Sequence, residues 1–150
     1  MDPEQPVPTL GDGLMVDHLP ARALDAFVKV AGADADLPLL SVELRHLGGE
    51  LRRPRPEHGA LASIDADSLM HAVGLAPMPE LEAPALAQVQ HVKDALGPWA
   101  ARHMNLNFAA TQRDAAKFFT EQAYRRLRRI KADIDPDDVI RSNHPIPPAR

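Results

Sequence analysis

Leu37–Gly49, LPLLSVELRHLGG, is the stretch whose residue order sets the fold class. Leu40, Val42, Leu44 and His46 share one parity, and Ser41, Glu43 and Arg45 share the other. Successive side chains of a strand point to opposite faces, so this alternation predicts a strand with one buried face. Gly48 and Gly49 are expected to end it in a turn. On the polar parity, Glu43 and Arg45 are expected to pair with each other or to line a cavity. On the apolar parity, His46 reads as a satisfied core histidine.

Working outward, residues 2–13 are rich in proline and glycine and read as an extended lead-in. A helix is predicted over 20–31, where Pro20 suits a first turn and Leu24, Phe27, Val28 and Ala31 recur at helical spacing. Gly32 stands where a left-handed cap is expected. Downstream, a second strand is expected within 60–74, with Leu69, His71 and Val73 on one face and His71 again a core histidine. Over 81–101, Ala85, Val89, Val92 and Leu96 form a helical stripe, which Gly97-Pro98 should break. MNLNF, Met104–Phe108, alternates and predicts a short strand. A last helix over 113–133 carries Ala123, Leu127, Ile130 and Ile134 on one side and basic residues elsewhere, with Asp135-Pro136 as its stop. Few strands and segregated helices give an α+β fold, a partial antiparallel sheet with helices packed on one face.

Bulk properties narrow the function. One hundred and fifty residues with 45% hydrophobic and 25% charged content can bury a core. A net charge of -4 argues against nucleic acid as a partner. There is no cysteine, so disulfides and thiolate chemistry are excluded. No apolar run approaches the roughly 20 residues that span a bilayer. MDPEQPVP lacks the basic and apolar regions of a signal peptide, so a cytoplasmic protein without a membrane partner is expected. The prolines cluster at 3–8, 54–56, 77–84 and 145–148, where connections between elements are expected.

No common catalytic motif is present. The seven histidines show no metal-ligand spacing, and no glycine-rich nucleotide loop occurs. Arg125, Arg126, Arg128 and Arg129 could present charge to phosphates. A solvated helix face, paired with Glu121 and Asp133, accounts for them more simply. A free-standing basic-helix regulator is the reading that the arginine run would otherwise support.

The residues from Met104 to Pro148 carry a family resemblance. Asn107-Phe108, Arg126-Leu127, Lys131, Asp135-Pro136 and Asn143-His144-Pro145-Ile146 fall in an order that resembles the C-terminal segment of the berberine-bridge-enzyme-like FAD-linked oxidoreductases. Upstream, LPARALDAFVKVAG, SVELRHLGGEL and RPEHGA resemble the second half of that family's substrate domain. The resemblance implies two parts: residues 1–103 from the substrate-type domain, and residues 104–150 as the berberine-like C-terminal segment. It also implies an oxidoreductase fragment without the FAD-binding domain, forming the substrate-side wall over the flavin and inactive alone.

The implied cofactor is FAD, and the implied cofactor-binding residues are Asn107, Met104, Asn143 and His144. Glu43 and Arg45 are the substrate-binding candidates for a small molecule. The implied partner is a separate FAD-binding domain, or another copy through self-association. Chemistry in the family is hydride transfer from a substrate carbon to flavin, assisted by a base. Its proton-handling tyrosine corresponds here to Met104, whose thioether neither takes a proton nor donates a hydrogen bond. Ala123 stands for a usual asparagine. Where plant members carry a catalytic glutamate, this chain has Arg52 and Arg53, with Glu50 nearby. No catalytic residue follows from the resemblance. The alternative is a non-catalytic remnant acting as a protein-interaction module.

Overall fold

A computed structural model describes residues 7–149. The expected lead-in at residues 2–6 lies outside them. From Thr9 the chain is not a lead-in but a strand, β1 (Thr9–Val16). Leu10, Leu14 and Val16 share a parity there, while Gly11 and Gly13 leave gaps on the other. Those glycines hid the strand from a reading based on periodicity.

The sheet has three antiparallel strands in the order β1-β3-β2, with β2 at Ser41–His46 and β3 at Ser68–Leu75. On β3, His71 lies opposite Gly13 on one side and Glu43 on the other, while Leu69 lies opposite Met15 and Arg45. The opposite parity carries Met70 and Ala72, matched to Leu14, Leu44 and Val42.

That second face is the one the helices cover. α1 (Ala21–Ala31) and α2 (Glu82–Leu96) bury it, which gives the expected α+β layer. In α2 the buried residues are Ala85, Val89, Val92 and Leu96, as the spacing predicted. Burying a Val, Leu or Met side chain contributes about 1.5–3 kcal/mol. Val16, Met70, Val89, Val92 and Leu96, all fully buried together, therefore make this cluster the main source of stability. The helix ends in a 3-10 turn at Gly97–Trp99, where Pro98 removes a donor. Pro84, expected in a connection, sits inside the first turn of α2.

In α1 the buried stripe is not the expected one. Ala23, Phe27 and Val30 face the core, whereas Leu24 and Val28 are exposed. Both stripes have helical spacing, and the position of α2 decides between them. Gly32 is extended, at φ -76°, so the helix ends without a left-handed residue. The left-handed glycine is Gly49, at φ 58°, which turns the chain after β2. His46 is exposed instead of core, because β2 runs out of covering helix there.

Two expectations for the C-terminal third also change. Residues 104–108 do not form a strand. Asn105 accepts the amide of Asn107 at 3.0 Å through its side chain, and Leu106–Phe108 closes as a 3-10 turn. A short polar side chain offers the backbone this local partner in place of a sheet ladder. The last helix begins at Glu121 and not near 113: α3 is Glu121–Ile134, capped by Thr120, whose hydroxyl accepts from the Ala123 amide at 3.2 Å. Residues 115–118 form a separate 3-10 turn, capped by Asp114, that buries Phe118. None of α3 is buried, and Ile134 is 75% exposed. Among the described residues no helix is long and apolar enough to cross a membrane.

Candidate functional site: the open sheet face and the C-terminal segment

The sheet face away from α1 and α2 carries the polar chemistry. β2 supplies Glu43 and Arg45, which pair at 2.6 Å. β3 supplies His71, whose Nδ1 lies 3.3 Å from Glu43 Oε1. The Glu43 carboxyl is held below its ordinary range, first by its hydrogen bond from Arg45, against desolvation, and then by His71. Phe108 covers the group: its ring meets His71 edge-on at 4.9 Å between centroids, and the Arg45 guanidinium lies 5.0 Å over it. Cation–aromatic and edge-to-face contacts favour this arrangement.

Glycines make the close approach work. A Cβ at Gly13 would stand 2.7 Å from Phe108 Cβ, and one at Gly11 would stand 3.3 Å from His71 Nε2. A side chain at Gly13 would push Phe108 off the sheet, whereas one at Gly11 would first meet the Ala72 carbonyl at 2.7 Å and crowd the imidazole less.

A second device ties the C-terminal segment to the sheet. Asp12, buried on β1, pairs with Lys93 of α2 and with Arg113 at 3.5 Å, and accepts the Ala110 amide at 3.3 Å. His144 is buried against Phe118, with ring centroids 4.6 Å apart, and its Nδ1 accepts the Arg113 amide at 3.1 Å. Beyond α3, Asp135 accepts from the amides of Val139 and Ile140 at 2.8 and 2.9 Å and pairs with Lys131. Lys131 also reaches Asp138 at 2.8 Å and the Ile140 carbonyl at 2.9 Å. Lys131 and Asp135, both among the residues that carry the resemblance, thus form a clasp. Lys131 holds the Asp135 carboxyl below its ordinary value, opposed by desolvation and aided by the Ile140 and Val139 amides. Asp135, then Asp138, hold the Lys131 amine above its own. Arg128 donates to the carbonyls of Pro147 and Pro148 at 3.2 and 3.1 Å and so anchors the tail.

The cofactor-binding candidates fall in two places. Asn107, Asn143 and His144 line one cavity of about 520 Å³. Met104 lines another, with Met15, Arg52, His103 and Phe118. The side-chain amides of Asn107 and Asn143 have no hydrogen-bond partner among the described residues, whereas His144 uses Nδ1 on the backbone. Glu43 and Arg45 lie on the open face beside Phe108, the neighbour of Asn107. Sequence reasoning missed Asp12 and Lys93, which are 81 residues apart and carry no local motif. It also read His71 as a core histidine, although its side chain is 23% exposed and faces Glu43.

The architecture recurs in solved oxidases. A chitooligosaccharide oxidase matches at TM-score 0.75 and 16% identity, over 96% of this chain and 33% of that one. A variant of berberine bridge enzyme matches at TM-score 0.75 and 16% identity, over 97% and 34%. A xylooligosaccharide oxidase from Myceliophthora thermophila, solved with xylobiose, matches at 0.71 and 19%, over 98% and 34%. These likenesses establish the fold, and this chain spans about a third of the length of those it matches.

Residues 104–147 match the family model described as "Berberine and berberine like". The resemblance read from the sequence therefore rests on a family match in the C-terminal segment and a fold match across nearly the whole chain. No curated protein matches the chain by sequence.

Proposed function

We propose that this chain is the C-terminal portion of an FAD-linked oxidoreductase, forming the substrate-side wall over the flavin and inactive without the flavin-binding part. The observation that carries this is the berberine-like segment 104–147, which brings Phe108 onto the sheet face away from the helices, against His71 and Arg45. Asn107 and Asn143 fit a flavin chemically: each free amide offers a donor and an acceptor, which a ring edge of carbonyl and N–H groups can pair. Bound flavin would supply the oxidant that accepts a hydride. The chain's own residues would hold the substrate and exclude water.

A small hydroxylated molecule suits the face, since Glu43, Arg45 and His71 are polar groups on a platform flattened by Gly11 and Gly13. Two of the matched proteins are named as oligosaccharide oxidases. The flavin-binding part is the partner proposed for the exposed apolar side of α3, where Ile130 and Ile134 stand out. Such a surface left uncovered favours self-association. The same reading places the protein in the cytoplasm, with no nucleic-acid or membrane partner.

The test is assembly. The chain would be coexpressed with the flavin-binding part of a berberine-like oxidase, then assayed for flavin absorbance and dioxygen consumption with hydroxylated substrates. A colourless chain alone and a yellow, oxygen-consuming complex are expected. Failure of the two parts to copurify would sink the proposal. A protein-interaction module is the second reading, favoured by the thioether of Met104 where a proton-handling tyrosine would stand. It expects copurification with no substrate-dependent flavin reduction.

A further inference from the structure

We propose that His71 is the proton acceptor of the oxidation, with Nε2 taking the hydroxyl proton of a substrate on the open sheet face while Glu43 positions the ring through Nδ1. This rests on the reading of the chain as the substrate-side part of a flavin oxidoreductase. Four observations lead to it.

First, His71 sits on the central strand, paired on both sides, in one cross-strand row with Gly13 and Glu43. Second, its two nitrogens have different surroundings. Nδ1 faces Glu43 at 3.3 Å, and a carboxylate only accepts, so the ring proton belongs on Nδ1. Nε2 then carries the lone pair, and it lies toward Gly11 with no hydrogen-bond partner among the described residues. Third, Glu43 is itself fixed by Arg45 at 2.6 Å, so that the imidazole is oriented by a partner that is already oriented. Fourth, Phe108 supports the ring from the C-terminal segment and joins it to Asn107, the candidate flavin contact.

A carboxylate holding one imidazole nitrogen while the other takes a proton is a general-base arrangement. The two charged groups facing His71 are Glu43 and Arg45, both from β2. β1 presents glycine there, the C-terminal segment presents Phe108, and both helices lie on the far side of the sheet.

The step balances simply. The substrate O–H bond breaks and its proton moves to Nε2. The carbon–hydrogen bond would break with its electron pair, and a flavin held by the missing part would supply the two-electron oxidant that takes it as hydride. The oxygen lone pair left by the proton closes the C=O bond. Glu43 and Arg45 are positioning residues in this scheme. The imidazolium formed is stabilised by the Glu43 carboxylate beside it.

The experiment uses the flavin-loaded complex and, separately, the full chain labelled with nitrogen-15 at histidine. In the complex, His71→Gln is expected to keep flavin absorbance and to slow substrate-dependent flavin reduction by about 10²–10⁴-fold. Added imidazole should restore part of the rate. In the full chain, nitrogen NMR should show neutral His71 protonated on Nδ1, and Glu43→Gln should shift it toward the Nε2 form. Should His71→Gln not fold, Glu43→Gln supplies both readouts, since it should slow reduction and move the tautomer together. Wild-type reduction rates in folded His71→Gln, or an Nε2-protonated ring in the unmodified chain, would overturn the assignment. A complex that holds no flavin overturns the function and the assignment together, whereas unimpaired reduction by His71→Gln overturns the assignment alone.

Discussion

At the scale of single residues, the berberine-like segment is held by polar side chains whose partners lie nearby. Asp135 is the clearest case: one carboxylate, buried at 7% exposure, takes two backbone amides and the Lys131 amine. Its pKa is lowered from the ordinary 3.8, so the folded state binds its proton less readily than the unfolded chain. The stability this contributes is present above 3.8 and is lost as pH falls through the lower folded value. Lys131 works in the opposite sense. Its contribution is present below 10.5 and fades as pH rises through the higher folded value. Asp135→Asn is expected to lower the unfolding midpoint at neutral pH and to differ less from the wild type below 3.8. Parallel denaturation series at several pH values check this. An undiminished difference in acid would show that the carboxylate's charge is not what holds the clasp.

At the scale of elements, helical spacing was legible wherever the neighbour was unambiguous. α2 buried the residues its sequence marked because it lies between a sheet and another helix. α1 has two stripes of equal quality, and nothing local distinguishes them. Met104–Phe108 and residues 113–120 show local hydrogen bonding overruling periodicity. Asn105, Asp114 and Thr120 each give a side-chain acceptor to a backbone amide close by and divide the segment at those points. Thr120 is the one that starts a real helix. Removing its acceptor in Thr120→Ala should cost about 1 kcal/mol, read from the denaturant midpoint at unchanged slope. A midpoint within error of the wild type would mean that α3 is held from its C-terminal end alone, by Asp135 and Arg128.

At the scale of the whole molecule, the layers are unequal. One sheet face carries two helices and the main apolar cluster. The other carries a smaller buried cluster of Met15, Leu47, Ala66 and Leu69, and beside it Glu43, Arg45 and His71 with the Phe108 ring. α3 adds an apolar side that the described chain covers only in part: Ile130 is 46% exposed and Ile134 75%. Replacing Ile134 with Lys should change the stability of the chain by no more than about 0.5 kcal/mol, as for other exposed positions. It should also weaken binding to the flavin-binding part and reduce self-association, as sedimentation would register. Unchanged association would place the contact elsewhere.

The sequence by itself determined the secondary structure of β2, β3 and α2, the α+β class, and the family resemblance of the C-terminal segment. Each of these is written in short-range order: alternation, helical stripes, and a run of motif residues. Only the tertiary structure decided that residues 9–16 are a strand and which stripe of α1 is inside. It alone showed that His71 faces Glu43, and that Asp12 reaches Lys93 and the segment after Phe108. The reason is physical. A strand broken by Gly11 and Gly13 has no periodic signal of its own, and it acquires a role only when β3 pairs with it. The missing side chains that weakened the signal in the sequence are what make room for Phe108 and the His71 ring.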